Sequence, residues 1–408
     1  MTEPPRPLLV LLIDAYRHDY LGRGETPAID ELAAGGHARP LQTILGYSDS
    51  IRATAFTGLH PDELGYWMEY RFAPGHTPFR PFTELAPLDR VPSDLALRAL
   101  KLGLSRTVVP AIARRRGYTS LDLRHLPFGA MRFFAYTLRG PMTSYAALPA
   151  PTIFDRLTET GRSWTYLDSS KVGDEGIDAG IAASPARTSL LFVYLHHVDM
   201  ASHLFGIEGK RFRSTLRATD ERVARIVGAA RQRLGDLDVL LFSDHGMSPA
   251  TTFRSLPELR RHPAFAKAFV YALDATMVRL WFRHDAGPSI RDEIRELVAR
   301  DLPTGRFLDD AERTRFHVAF PHRDYGDEIY LIPPGEVIFP NFHSYIRPKA
   351  MHAYDPGDPD QQGIVVVAGD RAPALAERVE MVDVHGMIQR LTGLEPARRV
   401  AGVAAGSR

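Results

Sequence analysis

The sequence of 408 residues predicts an α/β protein with a largely parallel central sheet flanked by helices. Short runs that are almost entirely apolar alternate with amphipathic stretches, which is typical of strands that are buried on both faces. Asp and His residues follow several of these runs, where the carboxyl ends of parallel strands would meet. The apolar runs are Leu8–Ile13, Leu190–Leu195, Leu237–Phe242 and Ile364–Val367.

The amphipathic stretches carry residues that begin and end helices. Thr26 and Pro27 precede AIDELAAGG, so we predict a helix with Thr26 as N-cap, proline in the first turn and a glycine stop. A long polar-faced helix is predicted over 211–234, between two strands. Further helices are predicted over 289–301 and over 382–392, where Gly393 ends the last one.

The chain is expected to form a single domain, 1–408, with two insertions. Residues 61–150 are rich in proline, arginine and aromatic residues, and residues 251–345 also interrupt the strand and helix alternation. Both insertions leave and rejoin the predicted core near Asp and His residues at strand ends. We therefore expect them to form a cap over a site, although they could instead merely extend the fold.

Composition excludes several classes of protein. The net charge of +1 argues against bulk nucleic-acid binding through a broad basic face. The chain has no cysteine, which rules out disulfides, thiolate metal ligands and a cysteine nucleophile. The apolar run before Asp14 is far shorter than the roughly 20 residues of a membrane span. The rest of the sequence contains no apolar stretch of membrane-spanning length either. We expect a cytoplasmic enzyme without a transmembrane segment.

Six Asp and His residues at four separate places have the side chains that zinc-like ions prefer. Carboxylate oxygens and imidazole nitrogens suit Zn²⁺, with Mn²⁺ as an alternative. A lone Asp after a strand is more often a helix cap, and a lone His is more often a surface residue. Several strand ends with such residues together indicate a site for two divalent ions. The candidate ligands are Asp14, Asp199, His203, Asp244, His245 and His352.

Ser48 is the candidate nucleophile. It begins the segment SDSIRATAFT, which is predicted to be a short helix ending at Gly58. The N–H groups at a helix N-terminus favour an anion, and a metal ion can deprotonate a bound hydroxyl. On composition alone Ser50 is an equal competitor, and Ser48 could be only an N-cap.

Several segments together resemble the alkaline phosphatase superfamily, and most closely its nucleotide pyrophosphatase/phosphodiesterase branch. The matching pieces lie between residues 8 and 355 and cover most of the chain except the first insertion. The resemblance implies an alkaline-phosphatase-like sandwich with cap insertions. The segments are LLIDAYRHDYL, TPAIDELAAGG, the Ser48 segment ending in TGLHP, VDMASHLFG, FSDHGM, YGDEIYLIPPG and MHAYDP.

The resemblance also implies residue roles. Asp14, Asp244 and His245 would hold one metal ion with Ser48 beside it, and the second ion would be held by Asp199, His203 and His352. In the family the nucleophile lies ten residues before the glycine of the TG pair, which selects Ser48 over Ser50. A covalent phospho-Ser48 intermediate is implied. Relatives of the diesterase branch usually have Thr at this position, so Ser48 is a departure.

The substrate-binding residues are less well defined by the resemblance. Diesterase relatives place an Asn about twenty residues after the nucleophile, and here the corresponding stretch contains Glu69. A carboxylate would repel a phosphate unless it were protonated, paired with Arg71 or bound to another group. Arg52, one turn after Ser48, could bind a phosphate oxygen. Tyr66 and Trp67 could stack on a nucleobase, or they could be core residues of the cap.

The leading hypothesis is a two-metal phosphodiesterase or nucleotide pyrophosphatase that acts on a nucleotide-like or other small phosphoester. A phosphomonoesterase with the same metals is the nearest alternative. A sulfatase, a phosphonate hydrolase and a non-catalytic binding protein are further alternatives. The basic and apolar segment over residues 95–117 is interpreted as a cap helix with solvated arginines, and a membrane-surface helix is the alternative.

Overall fold

The structure is a computed structural model that describes residues 6–90, 94–119, 126–344 and 346–395. Within these ranges the strands are β1 Leu8–Ile13, β2 Gly36–Gln42, β3 Tyr70–Phe72, β4 Phe134–Tyr136, β5 Ser163–Asp168, β6 Thr188–Leu195, β7 Asp238–Phe242, β8 Ser248–Pro249, β9 Thr252–Arg254, β10 Phe269–Leu273, β11 Met277–Phe282, β12 Arg306–Phe307, β13 Glu328–Leu331, β14 Glu336–Ile338, β15 Ala350–Met351, β16 Gly363–Ala368 and β17 Val379–Glu380.

The helices of the same ranges alternate with these strands. They are α1 Pro27–Ala34, α2 Ser48–Thr57, α3 Pro61–Leu64, α4 Asp94–Thr107, α5 Val109–Arg115, α6 Ile153–Glu159, α7 Ser169–Ala183, α8 His197–Phe205, α9 Gly209–Leu234, α10 Pro257–Arg261, α11 Pro288–Asp301, α12 Asp310–Arg315 and α13 Asp383–Thr392. Among these described helices, none combines the length and apolar character needed to cross a membrane.

The central sheet has seven strands in the order β17-β2-β16-β7-β1-β6-β5. Pairings of β1 with β6 and β7, of β5 with β6 and of β17 with β2 are parallel, whereas β16 is antiparallel to both neighbours. The predicted largely parallel α/β sheet is confirmed. The run Ile364–Val367 is a strand, but its expected parallel direction is wrong. A wholly apolar run reports burial on both faces and carries no information about chain direction.

Helices cover both faces of this sheet. The odd-numbered residues of β1, such as Leu9 and Leu11, pack with residues of α1, α7 and α9, including Phe212. The even-numbered residues, such as Leu8 and Val10, pack with α2, α6 and α13. Because side chains alternate along a strand, a fully apolar strand is buried only if both faces are covered. This double cover leaves the carboxyl edge of the sheet as the place where polar side chains can converge.

The start of α1 differs in detail from the prediction. Thr26 is the N-cap residue by position, but its side chain makes no capping hydrogen bond and instead lies 2.7 Å from the Tyr16 hydroxyl. The Asp220 carboxylate of α9 accepts hydrogen bonds from the N–H groups of Ala28 and Ile29 instead. The helix is therefore capped by Asp220, a tertiary contact, and not by Thr26 as the local sequence predicts.

The two insertions share one hydrophobic core. The hairpin of β3 and β4 packs against the antiparallel sheet β10-β11-β13-β12, and residues of both insertions belong to one buried cluster. Trp281 lies 5.4 Å from the Phe72 ring and 5.3 Å from the Phe134 ring. Tyr47, next to Ser48, packs against the same cluster. The insertions therefore contact the turn that carries the candidate nucleophile, and their role as a cap stays a prediction.

Lys101 of α4 is buried, and its replacement should stabilise the protein. Only 5% of its surface is exposed, its Nζ donates a 2.6 Å hydrogen bond to the Leu126 carbonyl, and burial lowers its pKa to about 8. The folded state therefore binds fewer protons than the unfolded state between pH 8 and 10.5, so stability rises with pH in that window. We expect Lys101→Met to increase the free energy of unfolding at pH 7 by roughly 1–3 kcal/mol.

Urea unfolding at pH 7 and at pH 10 measures this effect. The increase should shrink at the higher pH, because Lys101 of the folded parent is then neutral and most of the cost of its buried charge is gone. A variant that is less stable than the parent at pH 7 would show that the Leu126 hydrogen bond outweighs the cost of the buried charge.

Candidate metal and nucleophile site

The six predicted ligands converge at the carboxyl edge of the sheet. Asp14 follows β1, and Asp244 and His245 follow β7. Asp199 and His203 lie one turn apart on α8, which follows β6, and His352 follows β15. The parallel direction of β1, β6 and β7 brings the first five of these residues to one edge of the sheet, whereas His352 reaches the same place from a separate two-stranded sheet, β15-β8.

The first group consists of Asp14, Asp244 and His245, whose potential ligand atoms all lie within 4.8 Å of one another. His245 Nε2 lies 3.2 Å from Asp14 Oδ1 and 3.7 Å from Asp244 Oδ2. Ser48 Oγ lies 3.1 Å from the same His245 nitrogen. The candidate nucleophile is therefore at the edge of a buried cluster of two carboxylates and one imidazole.

The second group lies beside the first. Asp199 Oδ1 is 3.2 Å from His203 Nε2 and 4.0 Å from His352 Nε2. The set that satisfies the 4.8 Å spacing of a possible metal site here is Asp199, His245 and His352, with His245 in the place predicted for His203. The His245 and His352 rings stack with centroids 3.7 Å apart. The structure brings all six predicted ligands together.

The hydrogen bonds of two of the histidines indicate that a cation belongs here. His203 Nδ1 donates to the Ala350 carbonyl at 2.8 Å, and His245 Nδ1 donates to the Gly246 carbonyl at 2.7 Å. A neutral imidazole that donates from Nδ1 has a lone pair at Nε2. In both cases Nε2 faces a carboxylate oxygen, so a positive charge must lie between the two atoms, either a proton on Nε2 when no ion is bound or a metal ion. The donor set fits zinc-like ions.

Several carboxylate oxygens of the cluster have no other partner. Among the described residues, Asp14 Oδ1, Asp199 Oδ1 and Asp244 Oδ2 are buried without a hydrogen bond. Buried polar atoms are nearly always satisfied, so unpartnered ones need an explanation such as an ion. Burial and the neighbouring Asp14 charge raise the pKa of Asp244. Burial lowers the pKa of His245, but the Asp244 and Asp14 charges outweigh burial and raise it. These shifts show a local excess of negative charge.

The two candidate serines occupy different environments. Ser48 is the first residue of α2, and Tyr47 is the N-cap. Ser48 Oγ faces the cluster, whereas Ser50 Oγ is directed away from it and donates to the Tyr47 carbonyl at 2.8 Å. The Ser50 side chain is buried, and its hydroxyl has a hydrogen-bond partner. The geometry favours Ser48 as the nucleophile and gives Ser50 a structural role at the helix start.

Two alanines next to the ligands have left-handed backbone conformations. Ala15 follows Asp14 with φ of 61°, and Ala353 follows His352 with φ of 69°. Non-glycine residues rarely adopt such angles, which cost of order 1 kcal/mol or more each. The backbone is therefore strained directly beside two ligands, where it sets the direction of the Asp14 and His352 side chains.

Arg52 and Tyr194 lie next to the first group. Tyr194, at the end of β6, donates a hydrogen bond from its hydroxyl to Asp14 Oδ2, and the Arg52 guanidinium lies 4.9 Å from the Tyr194 ring centre. Arg52 is also paired with Asp49. Burial raises the pKa of Asp14, but His245 and, to a smaller extent, Arg52 outweigh burial and lower it. The sequence interpretation missed Tyr194, and its only signal was a tyrosine one residue before the end of an apolar strand.

The predicted aromatic substrate contacts are partly wrong. Tyr66 packs in a buried cluster with Ala53 and Leu64. Trp67 packs with Tyr325, and its Nε1 donates to the Leu45 carbonyl at 2.6 Å. Both rings are almost completely buried, so they have no free face on which a nucleobase could stack. They are core residues of the fold, which was the alternative interpretation of the sequence.

Glu69 contacts a histidine that the sequence interpretation missed. Its Oε2 lies 3.8 Å from His343 Nδ1, and His343 Nε2 lies 2.9 Å from Asp274 Oδ1. The His343 ring stacks on Tyr47 with centroids 5.1 Å apart, which places this group beside the Ser48 turn. Arg71 instead lies 3.5 Å from Asp324. Glu69 thus contacts His343, which agrees with the alternative that its carboxylate is bound to another group.

Comparison with known proteins agrees with this arrangement. The family model described as type I phosphodiesterase/nucleotide pyrophosphatase matches residues 8–355. Two structures of murine ectonucleotide pyrophosphatase/phosphodiesterase 5, one an inactive form in complex with AMP, have a TM-score of 0.68, 16% identity and 96% coverage of both chains. The human protein of that name has the same TM-score and coverage at 15% identity. No curated protein sequence matches significantly.

The structural likeness confirms the predicted alkaline-phosphatase-like α/β fold, and at this identity it shows the fold alone. The family model is a separate finding and covers most of the sequence. This chain belongs to the type I phosphodiesterase/nucleotide pyrophosphatase family of phosphoric ester hydrolases.

Proposed function

We propose that this chain hydrolyses phosphodiester or pyrophosphate bonds of a nucleotide-like or other small substrate through a covalent phospho-Ser48 intermediate. The observation that carries the proposal is the position of Ser48 Oγ, 3.1 Å from His245 Nε2 at the edge of the buried carboxylate and imidazole cluster. The AMP complex of the murine neighbour supports a nucleotide-like substrate. The cytoplasmic location stays a prediction.

Two divalent ions, Zn²⁺ or Mn²⁺, are part of the proposal. Asp14, Asp244 and His245 would hold one ion, and Asp199, His203 and His352 would hold the other. When bound, such ions neutralise charge that develops around the phosphorus and favour the deprotonated form of the nearby hydroxyl. The unpartnered oxygens and the Nε2 lone pairs described above support this assignment.

The side chains of the site then have separate tasks. Ser48 Oγ attacks phosphorus, so that a bond between Oγ and phosphorus forms while the bond to the leaving oxygen breaks. Water attacks the phosphoserine in the second step, and Ser48 Oγ leaves as the hydroxyl. The Arg52 guanidinium keeps a permanent positive charge one turn from Ser48, and Tyr194 holds Asp14 in position through its hydroxyl.

A phosphomonoesterase is the second candidate, because Arg52 places extra positive charge beside the site. Rates on an aryl phosphate diester and on the matching monoester distinguish the two. We expect kcat/KM to be higher for the diester, since Glu69 disfavours the additional charge of a monoester. A strong preference for the monoester would contradict the diesterase proposal.

Arg52→Ala and Arg52→Lys, measured on both substrates, extend this experiment. Loss of the charge should lower kcat/KM by roughly 10²-fold, and lysine should restore part of it if the charge matters more than the forked geometry. Equal activity of all three proteins would show that Arg52 serves only to pack against Tyr194.

A further inference from the structure

Helix α4 packs Leu97 and Leu104 against the core, as an ordinary surface helix does, but it also buries a lysine on that side and exposes two leucines on the other. Lys101 is 5% exposed and lies on the inner side, where its Nζ is 4.8 Å from the Phe128 ring centre. Leu100 and Leu102 are 40% and 37% exposed. A helix that faces water on its outer side normally shows the reverse arrangement. The outer side of α4 is therefore suited to an apolar environment.

The outer side of α4 is almost free of charge. At 100° per residue its exposed positions cover an arc of roughly 160°. Arg106 is the only charged residue among the described side chains of this arc. Val108 continues the apolar surface into the junction with α5 and is also exposed. We call this surface the α4 outer face; it consists of Ala96, Ala99, Leu100, Leu102, Gly103, Arg106, Thr107 and Val108.

Basic residues border the α4 outer face. Arg114, Arg115 and Arg116 follow at the end of α5 and are exposed. The sequence from residue 94 to residue 119 contains six basic residues and one acidic residue, whereas the whole chain has a net charge of +1. An apolar strip flanked by arginines is complementary to the acyl boundary and the anionic headgroups of a lipid surface.

We propose that the α4 outer face binds an anionic lipid surface, with Leu100, Leu102 and Val108 at the acyl boundary and Arg114–Arg116 at the headgroups. A second copy of the chain is less suitable as the occupant, because a symmetric contact would bring two clusters of arginines together. Binding would keep the enzyme at a membrane without any membrane-spanning segment. This inference is independent of the substrate and mechanism proposed above.

Sedimentation of the full chain with vesicles tests the proposal. The protein should bind vesicles that contain phosphatidylcholine and phosphatidylglycerol, bind poorly to phosphatidylcholine alone, and dissociate as salt increases. The double variant Leu100→Glu, Leu102→Glu should reduce binding about tenfold or more. The triple variant Arg114→Ser, Arg115→Ser, Arg116→Ser should reduce binding and remove most of its salt dependence.

Val172→Glu provides the matched control. Val172 is 46% exposed on α7, outside the α4 outer face, so its variant should bind vesicles like the parent. Circular dichroism and the hydrolysis rate in the absence of vesicles should be unchanged in all variants, which excludes misfolding. The proposal is overturned if the parent does not bind anionic vesicles, or if the leucine variant binds them as strongly as the parent does. It is also overturned if that variant only converts a dimer to a monomer, which would make the face a protein interface.

Discussion

Replacing Ser48 with alanine is expected to lower kcat by a factor on the order of 10⁴ or more, because the variant has no atom that can form the covalent intermediate. The side chain is small and lies at the first residue of α2. Its removal should therefore leave the fold and the metal ligands in place. Single-turnover hydrolysis of an aryl diester, together with the unfolding midpoint, measures both expectations.

Ser50→Ala is the control, since it removes the same atom two residues away. Ser50 Oγ donates to the Tyr47 carbonyl, and its loss should cost about 1 kcal/mol of stability while kcat stays within a few-fold of the parent value. Incubation with substrate followed by acid quench should leave phosphate on the parent and on Ser50→Ala, but not on Ser48→Ala. Persistent hydrolysis by Ser48→Ala would mean that another group attacks phosphorus.

Much of the fold could be predicted because its elements have strong local patterns. The apolar runs of β1, β6 and β7 and the periodic charges of α9 determine strand and helix from neighbouring residues alone. The direction of β16 could not be predicted, because its apolar residues would be equally buried in a parallel or an antiparallel strand. The cap of α1 was also misassigned, because Asp220 is distant in sequence and replaces a local threonine.

In the site, too, the residues with a local sequence pattern could be predicted, and those that depend on distant contacts could not. The ligands Asp14 and Asp244 follow apolar strands, so the topology of a parallel sheet brings them together. Tyr194 could not be assigned, because its contact with Asp14 depends on which strands are neighbours. The pairing of Glu69 with His343 depends on how the two insertions pack. Aromatic composition alone also cannot distinguish the buried core ring of Trp67 from a ring that lines a pocket.

Removing divalent ions is expected to abolish activity and to lower the unfolding temperature by several degrees. Without ions, burial and the Asp14 charge raise the pKa of Asp244. The Asp244 carboxyl of the folded protein then keeps its proton above pH 4, where the unfolded carboxyl has lost it, so the contribution of this group to metal-free stability should fall as pH rises toward neutrality. Zn²⁺ at a hundred times its Kd would restore about 2.7 kcal/mol for each site that binds it only in the folded state. Calorimetry with and without Zn²⁺ at pH 5 and pH 7 measures this.

Asp244→Asn distinguishes a metal site from a merely strained cluster. The substitution removes one of two adjacent buried carboxylates, so the metal-free variant should be more stable than the metal-free parent, while its stabilisation by Zn²⁺ should be smaller. Elemental analysis should find fewer ions per chain. Asp220→Asn is the control, since Asp220 is buried on α9 against α1 and is not a predicted ligand, and the asparagine amide oxygen can still accept one of the two α1 N–H groups that the carboxylate accepts. If Zn²⁺ stabilised Asp244→Asn as strongly as the parent, Asp244 would not be a ligand, and the two-ion assignment would have to be revised.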